Sequence, residues 1–366
     1  MFAEDAFLET AQNDLFEMVR GHHPKQANEP FPWDSYIAKS QMQKAIRRGD
    51  GRVAWTAARV LLTSNERGFW KRLAIIALED IGCANIALVA QVLLVEKHRS
   101  LRNQLGGPTL VGAALVDAMC MSPKDRSTDD LIDALGAPKY DCLKAEIAEL
   151  SPEPLFELVA SASAPVQHRA LAALRLSSGN DSLADALPKD HRWCRLLHML
   201  PEDIAPPSFK ITAMLGLERT RSIMAPLLAI LSRDVPTKFR TVDEAFPASE
   251  ELNGLPSWVL DGHTRLGLHA FRLYVKQSDR MSRFLKLWAT GEVSLSKTVA
   301  GLVFRTESAQ VANKMDWPVG QQLKQEACAN RPGLPPGAAA EGLSIVRQEF
   351  DLVNACRAQA VRVYLR

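Results

Sequence analysis

The sequence contains no Cys-x-x-Cys pair. Its six cysteines, Cys83, Cys120, Cys142, Cys194, Cys328 and Cys356, are scattered, with no histidine at metal-ligand spacing from them. That excludes a zinc site or a disulfide framework legible from spacing, and the thiols read as small buried residues in a reducing compartment. No G-x-x-x-x-G-K-S/T loop and no acidic Walker-type strand occur, so the groups that cradle phosphate and magnesium for ATP hydrolysis are missing. No run of about 20 apolar residues is present, so neither a membrane span nor a membrane partner is expected. Residues Met1 to Arg20 carry Glu4, Asp5, Glu9, Asp14 and Glu17 where a signal peptide has a basic region and an apolar core, and a cytoplasmic location is expected. Two-residue alternation of polar and apolar positions is hard to find, so strand content should be minimal. The formal net charge of +2 is too small to argue nucleic-acid binding from the whole molecule.

What the chain does have is helical punctuation. Its 366 residues, 47% hydrophobic and 23% charged, suit a globular protein of two or three domains or one extended helical array. The best-organised stretch runs from Tyr36 to Asn85. Ala38, Met42, Ala45 and Ile46 recur at spacings of three and four and predict a helix that Gly49 stops. A second helix is predicted from Arg52 to Leu62, apolar over most of its circumference, and a third from Phe69 to Asp80. The third ends in Glu79-Asp80, where two carboxylates meet the negative end of the helix dipole at a cost of up to about 1 kcal/mol each. Salt bridges to Arg47, Arg48, Arg59 or Arg72, or backbone N–H groups of the next helix, would compensate. A metal pair or a general acid/base pair would explain the same residues, although adjacent helical positions lie about 100° apart and do not easily face one ligand.

These residues resemble a known family. KSQMQKAIRRGD from Lys39, a tryptophan-bearing helix, and FWKRLAIIALEDIGCAN from Phe69 are similar to the clamp-loader-like C-terminal region of the RarA/MgsA AAA+ ATPases, which include the Werner-helicase-interacting proteins. A second island, PSWVLDGHTRLG from Pro256 to Gly267, resembles a segment of stand-alone bacterial proteins that carry this region without an ATPase domain. The resemblance implies an all-α collar that assembles into homo-oligomers. It also implies an association with DNA replication, repair or mobile-element maintenance, through DNA or a replication or repair protein. With no ATPase motifs, the implied role is a non-catalytic scaffold or adaptor, without catalytic residues, cofactor or metal.

The chain then divides into a helix and arm (1–34), the collar-like core (35–126), an inserted subdomain of short helices (127–232), a loop and helix completing the core (233–277), and a C-terminal region (278–366). Lys25 to Asp34 reads as an arm delivering Trp33. Within the insertion, residues 164–174 look superficially like part of a HEAT-type pair, without a clean repeat period. Lys210 to Ser232 reads as helix with breaks at Gly216 and Pro226, Thr109 as a cap, and Ala338 to Tyr364 as one long helix studded by Arg347, Arg357, Arg362 and Arg366, which mark a solvated face or else a nucleic-acid contact.

Two constellations carry possible chemistry. In the first predicted helix, Lys44, Arg47 and Arg48 share one face, with Lys39 and Arg52 near its ends; they form a candidate nucleic-acid contact, or else Arg47 and Arg48 neutralise Glu79 and Asp80 internally. In the second, Asp261 caps a helix starting near Gly262, which puts His263, Thr264 and Arg265 at its positive end. That turn could hold an anion or a nucleotide, alone or with Glu79 and Asp80. Arg265 could instead pair with Glu79 or Asp80, or His263 could act as a general base. A protein-interaction module in phage defence or counter-defence, working through residues 127–232, is a third functional class.

Overall fold

The Tyr36–Asn85 stretch folds as its punctuation predicts, with one change. Residues 2–23, 34–178 and 192–364 of the chain are described by a computed structural model, and the arm at 24–33, Trp33 included, lies outside them. Helix α1 (Phe2–Arg20) lays Ala11, Leu15 and Val19 on the core. Helix α2 (Ser35–Arg48) starts at Asp34, whose side chain accepts from the amides of Tyr36 and Ile37. It stops where Gly49 takes a left-handed conformation (φ 72°), a backbone shape glycine adopts without steric cost. Asp50 caps α3 (Gly51–Ile76).

The two helices predicted within 52–80 both form and follow one another within α3, divided by a kink at Asn65. Asn65 leaves helical geometry inside it (φ −159°, ψ 80°), and its Oδ1 accepts from the Gly68 amide at 2.8 Å, capping the second half. The helix then widens into a π-turn at Ala77–Ile81 and turns at Gly82. Gly82 sits at φ 52°, and an added Cβ would lie 2.4 Å from the Asp125 carbonyl oxygen, so no other residue fits without backbone movement. From there Asn85 caps α4 (Ile86–Lys97), followed by α5 (Arg99–Gln104) and α6 (Pro108–Met121), which begins at Pro108 and not under a Thr109 cap.

The middle of the chain supplies α7 (Ser127–Leu135), α8 (Asp141–Ala148), α9 (Pro152–Ala160), α10 (Val166–Ser178) and α11 (Arg192–Met199). Then α12 (Pro207–Thr220) and α13 (Met224–Leu231) break at Arg221, not at Gly216 or Pro226. Gly216 instead lets the two helices touch, since a Cβ there would lie 2.7 Å from that of Ala225. These helices do not form a separate body. Their buried Leu131, Ala170, Trp193, Ala213 and Leu228 belong to one apolar cluster with Leu61, Leu73 and Val92 of the collar-like core. Each fully buried leucine contributes about 1.5–3 kcal/mol relative to exposure. The apolar stretch 51–97 lies inside that cluster, with 67% of its most apolar window buried.

The remaining helices are α14 (Arg265–Gln277), α15 (Asp279–Trp288), α16 (Leu295–Val303), α17 (Pro318–Ala329), α18 (Ala338–Gln348) and α19 (Phe350–Tyr364). Glu349 divides what reads in sequence as one long helix into α18 and α19. Phe271, Phe284, Val303, Val346 and Val353 build a second apolar cluster there. A second π-turn, Phe304–Ser308, follows α16. Strands β1 (Arg240–Val242) and β4 (Lys314–Asp316) pair antiparallel, as do β2 (Glu251–Leu252) and β3 (Leu255–Pro256). Helix makes up 74% of the structure and strand 3%, so the protein is all-α, a multi-helix assembly.

Candidate functional site

The two π-turns face each other across a buried network of charge, and a cleft of about 700 Å³ opens over it. Widened turns of this kind occur often at functional sites. Glu79 and Asp80 sit on the first turn. Arg47, projecting from α2, donates from Nε to Asp80 Oδ1 at 2.8 Å, from Nη2 to Glu79 Oε1 at 2.6 Å and from Nη1 to the Ser308 carbonyl at 2.7 Å. Arg126 donates to Glu79 at 3.1 Å and also to Asp80 and Asp129, and Gln43 completes Asp80 at 2.8 Å. Arg305 holds Asp130 and Asp133, and Arg331 reaches Asp133 at 2.6 Å. The guanidinium groups of Arg47, Arg126 and Arg305 surround the ring of Phe304 at 5.7, 5.6 and 5.6 Å, a cation–π arrangement that replaces lost hydration.

The second island closes the other wall. Lys44 pairs with Asp261 at 2.8 Å and also donates to Ser40 Oγ and to the carbonyls of Trp258 and Val259. Asp261 accepts from the His263 amide at 2.9 Å and so shapes the turn, but it is not the helix cap. Thr264 is the cap, its Oγ1 accepting from the Gly267 amide at 3.0 Å. His263 therefore precedes α14, exposed at the cleft, and Arg265 opens the helix, also exposed. Among the described residues Arg265 pairs with neither Glu79 nor Asp80. The acidic turn and the 261–263 turn do line one cleft, joined through Lys44 and Arg47 in place of Arg265.

The five cations of α2 and the start of α3 do not form a surface stripe. Lys44 and Arg47 are buried and paired, and Arg48 is stacked between Phe246 and Trp258 at 4.5 and 4.6 Å. Lys39 is half-buried at the cleft, and Arg52 is exposed. Arg357, expected on a solvated face, is fully buried and paired with Glu307 at 2.6 Å.

Electrostatics separates Glu79 from Asp129, two of the four carboxylates that line the cleft. Burial would raise Glu79, but Arg47, Arg126 and Arg72 outweigh it and hold this group well below the usual range. Burial pushes Asp129 up to about 6, with Glu79 and Asp130 adding to the rise against Arg126 and Arg305. Burial also brings Lys44 down to about 8, opposed by Asp261. Neighbouring carboxylates with different proton affinities are the raw material of acid/base chemistry. No cluster of His, Cys, Asp or Glu among the described residues is set to hold a metal ion.

Sequence reasoning missed Arg126, Asp129, Asp133, Lys297, Phe304 and Arg305. Arg126 lies in a short polar break between helices, where periodicity carries no signal, and Phe304 and Arg305 lie in a π-turn that a 3.6-residue repeat does not describe. No family model, curated protein or solved structure matches the chain.

Proposed function

We propose that the cleft binds a small ligand of nucleotide-like size that carries an anionic group. One observation carries the reading. Once each internal pair is matched, Lys39, Arg72, Lys297 and His263 line the cleft with no ion pair among the described residues, in the same lining as Glu79 and Asp129. Such a rim accepts a phosphate or carboxylate, while Glu79 and Asp129 accept hydroxyl, amine or base N–H donors. Tyr36, 67% exposed at the rim, has Lys39 Nζ over its ring at 5.2 Å, which holds that cation at the mouth of the cleft. The volume falls in the range of about 300–1,000 Å³ usual for small-molecule sites. The test is a thermal-shift panel of nucleoside monophosphates and sugar phosphates. A member of the panel should raise the melting temperature of the wild type and leave Lys39→Glu/Lys297→Glu unmoved. A panel without effect, or an equal shift in the variant, would overturn the reading.

A second reading follows the resemblance, a non-catalytic adaptor that assembles with copies of itself near DNA. It is supported by the packing of the two resembling islands on each other, through Ser40 and Lys44 on the Trp258–Val259 backbone. Light scattering together with DNA binding at two salt concentrations tests it, and a monomer indifferent to DNA counts against it.

A further inference from the structure

A second cleft, of about 690 Å³, lies between the latter half of α3, the α4–α5 corner and the end of α12. We infer that it is a binding site for a compact polyphosphate, formed by Arg67, Lys71, Arg99 and Arg221 over a floor of Trp70 and Arg102. The charge count leads there. Three carboxylates line the cleft, and each already has a cation: Glu96 takes a two-pronged contact from Arg219, Glu218 takes Lys97 at 2.9 Å, and Glu66 takes Arg102 at 3.6 Å. Arg67, Lys71, Arg99 and Arg221 remain, all exposed and without an ion pair among the described residues. They come from three separate segments of the chain, so their charges converge because the fold brings them together. Like charges that crowd one concave site, with no carboxylate left to answer them, favour a multivalent anion.

The floor says which kind. Trp70 is 2% exposed, covered by the Arg102 guanidinium at 5.0 Å and held by its Nε1–H on Glu66 at 3.1 Å. It presents no free ring for a base, unlike the stacking platforms of single-strand binders. Arg67 and Lys71 lie one helical turn apart, about 6 Å at Cβ, which matches adjacent phosphates of one ligand. The concave shape suits a compact anion better than the convex backbone of a duplex.

Calorimetric titration of the full chain with inorganic tripolyphosphate tests this. Binding is expected, stronger than for orthophosphate and weakened by added salt. It should fall by about tenfold or more in Arg67→Glu/Lys71→Glu, two exposed positions, with circular dichroism and melting unchanged. The component of binding lost in Arg67→Glu/Lys71→Glu should persist in Lys297→Glu, a change in the other cleft, which separates this site from the one proposed above. Absence of tripolyphosphate binding, or equal binding by the double variant, would overturn the inference. So would a single-stranded oligonucleotide that binds more tightly than tripolyphosphate and is lost in the same variant, because the surface would then be a nucleic-acid contact.

Discussion

Replacing Asp80 with alanine should be among the most damaging single changes in the chain. Asp80 is fully buried and accepts from Gln43, Arg47 and Arg126. Removing it leaves two buried guanidinium groups, with Glu79 as the one carboxylate among the described residues that they still share. Breaking a buried ion pair from one side costs about 3–5 kcal/mol, because the surviving charge keeps its desolvation penalty and loses its partner. Urea denaturation followed by circular dichroism at 222 nm (the helical signal, about 1 kcal/mol resolvable) measures the loss. Arg265→Ala is the matched control. The sequence makes Arg265 a candidate partner of the same carboxylates, but the fold leaves it exposed, and its removal should cost under about 0.5 kcal/mol. A loss below about 1 kcal/mol for Asp80→Ala, or equal losses for the two variants, would refute the network as drawn.

Three further outcomes follow from the same geometry. Gly82→Ala forces a side chain against the Asp125 carbonyl at φ 52° and should destabilise by about 2 kcal/mol or more in the same urea titration. Asn65→Ala removes the cap of the second half of α3 and should cost about 1 kcal/mol, with hydrogen exchange speeding first at the Gly68 amide. Asp129, raised to about 6, binds its proton more tightly folded than unfolded, so its stabilising contribution is complete below about pH 4 and is lost as pH rises through about 6. Asp129→Asn, which does not titrate, should therefore gain on the wild type by about 2 kcal/mol between pH 4.5 and 7.5, and a gap that does not change with pH would count against the raised value.

Much of the fold was legible because its signals are local. Gly49 marks a helix end by its left-handed backbone, and the short helices from Ser127 to Met199 follow apolar spacing bounded by proline, glycine and serine. What failed was pairing over distance. The acidic ending at Glu79-Asp80 implies internal cations, and Arg47 is one of them, but Arg126 sits in a break without periodicity that gives no signal of the pairing. Arg357 shows the same limit from the other side. Its helix pattern reads as solvated because the partner that buries it, Glu307, sits on a π-turn that sequence periodicity does not reveal. Lys44 likewise reads as a surface cation until the second island arrives with Asp261.

A crystal structure of the protein soaked with a nucleoside monophosphate would test the cleft most directly. The phosphate should lie among Lys39, Lys297 and His263, with hydrogen-bond donors of the ligand turned toward Glu79 and Asp129. A cleft left empty at saturating ligand, or a phosphate bound with none of those three side chains, would contradict it.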